Sequence, residues 1–133
     1  MKRILFVCVE NSCRSQMAEA MFNCRVDARQ AKAWSAGSRP SGSVNANAVE
    51  MMREKGLDIS AARSKGFDAL PIKNFDYVIT LGCKDVCPFV PAKEHIEWQI
   101  PDPKGRDRDF FRKACAIIEE KIEAFIRENL GNS

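Results

Sequence analysis

A uniformly apolar run that leads into a cysteine-containing loop is the feature that most constrains the fold. Ile4-Leu5-Phe6-Val7 is typical of a strand buried on both faces of a parallel sheet. Residues 8–15 follow, and a helical pattern begins near Ser15. A loop between a buried strand and a helix N-terminus directs several backbone N–H groups at one point. We therefore expect an anion site at the C-terminal end of the first strand of an α/β fold.

Strand-like and helix-like patterns alternate along the rest of the chain, which predicts a parallel sheet with helices. The predicted strands are residues 3–8, 31–35, 77–81 and 94–98. The predicted helices are residues 15–29 and 45–55, a short one near 67–70, and a long C-terminal one capped by Asp107 or Asp109. No repeat or linker divides residues 1–133, which are predicted to form a single domain.

Apolar stripes predict which helix faces are buried. In the first helix the stripe consists of Met17, Met21, Cys24 and Ala28, which places Cys24 in the core. The C-terminal helix has a second stripe, with Cys115 at its border: Phe111, Ala114, Ile118, Ile122 and Phe125.

Composition excludes several classes of function. A net charge of +3, with dispersed basic residues, does not suggest a nucleic-acid partner. No apolar stretch is long enough for a membrane span, and no signal-peptide cleavage site follows the N-terminal apolar run. These features predict a cytoplasmic protein with no membrane partner. In that reducing compartment, six cysteines indicate catalysis or redox exchange; with a single histidine, His95, neither a metal site nor a cofactor is predicted.

The loop itself predicts a nucleophile under a bound oxyanion. Cys8 would be the attacking thiolate, Arg14 would grip two oxygens of the anion with its planar guanidinium, and Ser15 would donate a hydrogen bond to the sulfur. A buried, inert Cys8 is the alternative. The residues predicted to surround the oxyanion are Val9, Glu10, Asn11, Ser12, Cys13 and Arg14.

A second pair of thiols, Cys83 and Cys87, follows the third predicted strand. Their four-residue spacing places them about 6 Å apart in a helical turn, within the range for a disulfide. Lys84 and Asp85 make the segment polar, so the pair is predicted to be partly exposed and reactive. Two unrelated buried cysteines are the alternative.

Three segments carry a resemblance to a known family. Residues 8–20 resemble the signature of the low-molecular-weight protein tyrosine phosphatase superfamily, and Ser15-Gln16-Met17-Ala18-Glu19 is more similar to its thioredoxin-coupled arsenate reductase branch. Trp34-Ser35-Ala36-Gly37 and Asp102-Pro103-Lys104-Gly105 resemble two further family segments. The resemblance implies a flavodoxin-like three-layer sandwich, with a four-stranded parallel sheet and helices on both faces.

The resemblance also implies a reaction. Cys8 would attack arsenate, Cys83 would then attack the Cys8 sulfur, and Cys87 would move the disulfide to Cys83–Cys87 for reduction by a thioredoxin or glutaredoxin-type protein. Asp102 would be the general acid, although Asp-Pro is also a common turn. Phosphoester hydrolysis through Cys8 is a second hypothesis, and a catalytically silent oxyanion-binding or thiol-sensing module is a third.

Two positions depart from the family pattern. Glu10 stands where the family often has Gly, and an acid there repels an oxyanion unless it points to solvent. In related reductases Asn11, Glu19, Ser35 and an acidic residue near position 65 can surround a potassium ion. This chain has Lys65 there, whose ammonium is predicted to replace the cation and pair with Glu19; a solvated surface charge is the alternative.

Overall fold

The computed structural model describes residues 1–82 and 90–130, and its centre is a four-stranded parallel sheet. The strands are β1 (Lys2–Cys8), β2 (Ala31–Gly37), β3 (Phe75–Thr80) and β4 (Ala92–Glu97), in the order β2-β1-β3-β4. The predicted α/β class with a parallel sheet is confirmed. Several strands are longer than predicted, or shifted from their predicted positions, by about two residues. The pairing register sets their ends, because it places residues such as Phe75 and Ala92 opposite each other.

Within the described residues, three α-helices accompany the sheet: α1 (Arg14–Arg25), α2 (Ala46–Glu54) and α3 (Arg108–Phe125). The Asn45 side chain caps α2 by accepting from Asn47 N, and Asp107 caps α3 by accepting from Phe110 N. A 3-10 turn (Phe67–Ala69) falls at the predicted short helix, and a π-helical turn (Ile126–Leu130) extends α3.

The prediction that the first helix continues to residue 29 is wrong. Helix α1 ends at Arg25 because Asp27 forms a turn of its own: its carboxylate accepts from Arg29 N, and its carbonyl accepts from Gln30 N and Ala31 N. Ala28 is therefore outside the helix. Cys24 lies in the last turn and is exposed, so its predicted place in the core is also wrong.

The core has two parts, one on each face of the sheet. The larger part lies under α1 and α3, with α2 packed against both helices, and it contains the whole predicted α3 stripe. The smaller part is built on Leu5, Val7 and Val78, and the segment containing Leu70 and Phe67 covers it. None of the helices within residues 1–82 and 90–130 has the length and apolar character that a membrane span needs.

Sheet topology brings several chain segments to one edge. The central strands β1 and β3 are neighbours, and Leu81 N donates to Val7 O at 2.8 Å. Trp98 N donates to Thr80 O at 2.8 Å, which brings the segment after β4 to the same edge. The loop after β1 therefore lies beside residues 81–82 and residues 98–104. Cys83 and Cys87 lie outside the described residues.

Candidate functional site

The anion loop, residues 8–14, forms one wall of a cavity of about 160 Å³ at this edge of the sheet. Residues 102–104 form the facing wall. The cavity is lined by Cys8, Val9, Glu10, Ser12, Cys13, Arg14, Asp102 and Lys104. Seven of these belong to the predicted site, and Lys104 does so only as part of the family segment that begins at Asp102.

Backbone carbonyl groups of the anion loop are bonded to the surrounding structure. Arg39 N donates to Val9 O at 2.7 Å, Ser64 Oγ donates to Glu10 O at 2.6 Å, and Asn45 N donates to Ser12 O at 2.9 Å. In a trans peptide the N–H points opposite to the C=O. The N–H groups of residues 10, 11 and 13 therefore face away from these partners, which is the arrangement that an oxyanion requires.

Gly37, at the end of β2, allows this loop to come close to the sheet. A Cβ atom at this position would lie 2.6 Å from Val9 O and 2.8 Å from Asn11 N, both backbone atoms. In the sequence, Gly37 stood out only as part of a segment that resembles the family. The close approach of two backbones was the reason for glycine there, and a single sequence does not reveal it.

A chain of hydrogen bonds runs from Asn11 through Ser15 to the Cys8 sulfur. Asn11 Nδ2 donates to Ser15 Oγ at 2.7 Å, and Ser15 Oγ lies 2.9 Å from Cys8 Sγ. Because the Ser15 oxygen already accepts from Asn11, its own hydrogen is available for the sulfur. Ser15 and Asn11 are fully buried, and Cys8 is nearly so. The arrangement places a buried hydroxyl donor against the Cys8 sulfur.

The amide of Asn11 is oriented by two donors. Asn11 Oδ1 accepts from Gln16 Nε2 at 2.8 Å and from Lys65 N at 2.9 Å, which leaves Nδ2 to face Ser15. The backbone of Asn11 has a φ of 53°, a left-handed conformation that asparagine tolerates. Asn11 was predicted to surround the oxyanion, but its side chain supports the loop from outside the cavity. Gln16 was not predicted as a site residue; besides Asn11, it donates to Arg63 O at 2.9 Å, a partner 47 residues away.

Arg14 is held in place before any ligand arrives. Its side chain is 7% exposed, and Nη1 donates to Leu81 O at 2.6 Å and to Ile100 O at 3.1 Å. These carbonyls come from the segments after β3 and β4. Gly82 has a φ of 91°, a backbone conformation that favours glycine, and a Cβ atom there would lie 2.6 Å from Nη1 and 3.2 Å from Ile100 O. Nη2 lies 3.6 Å from Asp102 Oδ2.

Asp102 lies across the cavity from the anion loop, with its side chain 55% exposed. Its Oδ1 accepts from Lys104 N at 3.0 Å, which is the turn that the Asp-Pro sequence favours. The turn and the catalytic interpretation are therefore compatible, because the turn orients the carboxyl group toward Arg14.

Cys13 also lines the cavity. Burial raises the pKa of the Cys13 thiol to about 11, although the hydrogen bond with Ser12 acts in the opposite direction. Cys13 is consequently a neutral thiol at physiological pH, and it is a poor competitor of Cys8 for an electrophile.

The predicted cation site brings its four residues together. Ser35 Oγ donates to Glu19 Oε1, and Lys65 Nζ lies 3.4 Å from Ser35 Oγ and 3.8 Å from Glu19 Oε1. Lys65 N is bonded to Asn11 Oδ1. Across residues 1–82 and 90–130, no three His, Cys, Asp or Glu side chains are grouped closely enough to hold a metal ion.

The fold and the loop define a class of α/β proteins in which a strand, an anion loop with a cysteine at its start and a helix N-terminus form one unit. Residues 3–133 match the family model described as low molecular weight phosphotyrosine protein phosphatase, and the chain belongs to this family. The resemblance found in the sequence is confirmed.

Relatives within the family include several arsenate reductases. The chain is 41% identical over 130 residues to the arsenate reductase of Staphylococcus aureus, covering 93% of this chain and 95% of that one. It is 36% identical over 129 residues to the glutaredoxin arsenate reductase of Synechocystis, covering 95% and 97%. A solved structure titled an arsenate reductase in the phosphate binding state superposes with a TM-score of 0.82 at 34% identity, covering 96% and 98%.

Proposed function

We propose that this protein is an arsenate reductase that converts arsenate to arsenite through Cys8, Cys83 and Cys87. The observation that carries the proposal is the Asn11–Ser15–Cys8 hydrogen-bond chain under an oxyanion-sized cavity. The names of the relatives support reduction rather than hydrolysis.

The first step uses the anion loop. The Cys8 thiolate attacks arsenic, a sulfur–arsenic bond forms, and one arsenic–oxygen bond breaks. Asp102 gives a proton to the departing oxygen, which leaves as water, while Arg14 and the loop N–H groups hold the other oxygens. Arsenic remains in the +5 state in this adduct.

Reduction occurs in the second step. The Cys83 thiolate attacks Cys8 Sγ, a disulfide forms, and the sulfur–arsenic bond breaks with its electron pair going to arsenic, which leaves as arsenite in the +3 state. Cys87 then attacks Cys83, which releases the Cys8 thiolate and gives Cys83–Cys87. A thioredoxin or glutaredoxin-type dithiol reduces that bond, and such exchange requires a reducing compartment, the cytoplasm.

The phosphatase function is the second candidate, and the family itself is the observation that favours it. Hydrolysis needs Cys8, Arg14 and Asp102 but not a second thiol. Lys104 and Gly105 stand where phosphatases of the family usually have tyrosines, which disfavours a phosphotyrosyl substrate.

Single-turnover analysis of cysteine variants tests the proposal. With one equivalent of arsenate, Cys83→Ser should release no arsenite, whereas Cys87→Ser should release one equivalent and accumulate the Cys8–Cys83 disulfide in non-reducing peptide maps. Cys24→Ser is the matched control, since Cys24 is exposed and lies outside the cavity. Normal multiple turnover by Cys83→Ser and Cys87→Ser with a thioredoxin system contradicts the relay.

A further inference from the structure

An ion pair between Glu10 and Lys104 joins the two walls of the cavity. Lys104 Nζ donates to both carboxylate oxygens of Glu10, at 2.7 Å each. Glu10 belongs to the anion loop, and Lys104 belongs to the facing wall. Their side chains are 33% and 53% exposed, so the pair lies at the solvent end of the cavity.

The same lysine is bonded to the candidate general acid. Lys104 N donates to Asp102 Oδ1 at 3.0 Å, and Asp102 Oδ2 is 3.6 Å from Arg14 Nη2. Residues 102–104 are therefore attached to the anion loop at two points, through Arg14 and through Glu10. Loss of the Glu10 contact leaves one attachment.

Charge compensation explains how the loop accommodates an acid. An unpaired carboxylate at Glu10 would repel an incoming dianion, whereas the paired group has no net charge. The hydrogen bond that Lys104 Nζ donates to Glu10 raises the pKa of the Lys104 ammonium, which is charged at neutral pH. The pair narrows the mouth without adding a negative charge to it.

Cavity size indicates which ligands this mouth suits. The volume of about 160 Å³ is well below the ~300 Å³ of the smallest pockets that enclose drug-sized ligands. A free tetrahedral oxyanion needs only the space between the loop and Arg14. An aryl ester must also place its ring through the mouth, where the Glu10–Lys104 pair lies.

We propose that the Glu10–Lys104 pair is a specificity determinant that favours free inorganic oxyanions over aryl-substituted ones. The inference rests on the proposed oxyanion site and extends it to the choice of ligand. Lys104 and Glu10 act here as positioning residues, since they shape the mouth and hold Asp102.

Equilibrium binding of inorganic phosphate and phenylphosphonate, measured by isothermal titration calorimetry, tests the proposal without any turnover. Lys104→Gln leaves Glu10 unpaired and should weaken phosphate binding about fivefold, the upper range for an exposed charge pair. The double variant Glu10→Gln/Lys104→Gln should restore phosphate affinity to within about twofold. It should also raise phenylphosphonate affinity relative to phosphate about fivefold, because the mouth is open and neutral.

Two further variants complete the test. The exchange Glu10→Lys/Lys104→Glu restores the pair and should return the affinity ratio to that of the wild type. Lys93→Gln removes the exposed lysine of another ion pair, with Asp76, outside the cavity, and should change neither affinity.

Two outcomes overturn the inference: phosphate binding by the double variant as weak as that of Lys104→Gln, or an unchanged affinity ratio in the double variant. The proposed function fails separately. A wild-type protein that binds phosphate but does not reduce arsenate contradicts the reductase and leaves the binding comparison valid.

Discussion

At the scale of single residues, Lys65 contacts both the predicted cation site and the hydrogen-bond chain that ends at the Cys8 sulfur. Its ammonium lies beside Glu19 and Ser35, while its backbone N–H orients the Asn11 amide that is bonded to Ser15. The ammonium of Lys65 therefore lies at the predicted cation position, and its backbone N–H belongs to the hydrogen-bond chain that leads to Cys8.

We predict that wild-type activity depends little on potassium and that Lys65→Asp becomes potassium-dependent. The substitution replaces the ammonium by oxygen ligands next to Glu19 and Ser35, and it retains the backbone N–H to Asn11. Arsenate reduction measured in potassium, sodium and choline chloride at equal ionic strength should show a potassium effect of about fivefold in the variant only. A strong rise of wild-type activity with potassium, but not with sodium, contradicts this role of Lys65.

Contacts between residues that are close in sequence were easier to predict than contacts between residues that are far apart in sequence. Cys8 and Ser15 lie on one loop and helix start, so their contact follows from local geometry. The Arg14 side chain is held by Leu81 and Ile100, which are 67 and 86 residues away. Ser64 and Gln16 support the same loop through bonds to Glu10 and Arg63, which are 54 and 47 residues away. Periodicity predicts which face of an element is buried, but it contains no information on such partners.

At the scale of elements, the contact between the end of β2 and the anion loop determines how the loop is held. Gly37 N donates to Lys65 O at 2.9 Å, and the missing Cβ leaves space for the backbone of residues 9–11. A side chain here displaces the loop that contains the candidate nucleophile. Stability and oxyanion binding are therefore coupled at one glycine.

Gly37→Ala should lower the free energy of unfolding by about 1–3 kcal/mol and weaken phosphate binding, because backbone atoms 2.6 and 2.8 Å from the new Cβ must move. The matched control is Gly66→Ala, where φ is −95° and the nearest atom is 3.5 Å away. That variant should stay within about 0.5 kcal/mol of the wild type. Denaturant titration with and without phosphate gives both quantities, and equal effects of the two substitutions contradict the close contact.

Element boundaries were the least predictable part of the fold. The stripe of α3 was predicted correctly because 18 residues of regular spacing define one face. Helix α1 was predicted too long, because the Asp27 turn that ends it depends on side-chain bonds rather than on periodicity. The ends of the strands depend on the register in which neighbouring strands pair, and this register cannot be read from the sequence of one strand alone.

At the scale of the whole molecule, one carboxylate on α3 connects α1 with the C-terminal end of α2. Glu119 on α3 pairs with Arg25 on α1 and accepts from Lys55 Nζ, just after α2, at 3.0 Å. Burial by itself would raise the pKa of Glu119, but the bonds and charges of Lys55 and Arg25 outweigh it and hold that pKa below its usual value. The ionised form is thus favoured in the folded protein.

Glu119→Gln should reduce the free energy of unfolding at neutral pH by about 1 kcal/mol. A lowered pKa in the folded state contributes stability above the unfolded-state pKa, and this contribution disappears as pH falls through the folded value. The difference between wild type and variant should therefore vanish in acid. Glu50→Gln, which removes an exposed pair with Arg53, is the control. If the difference in free energy of unfolding between wild type and Glu119→Gln is independent of pH, the linkage is contradicted.

The outward bonds of the anion-loop carbonyls have a thermodynamic consequence. Because Arg39, Ser64 and Asn45 already restrain the loop, the conformational entropy of ordering it is lost at folding and not at ligand association. An oxyanion therefore meets a rigid receptor, and its affinity depends mainly on exchanging hydration for fixed dipoles. The unfolded chain has no such receptor, so oxyanion concentration and folding equilibrium are linked by mass action, and abundant cellular phosphate would stabilise the fold even when no arsenate is present.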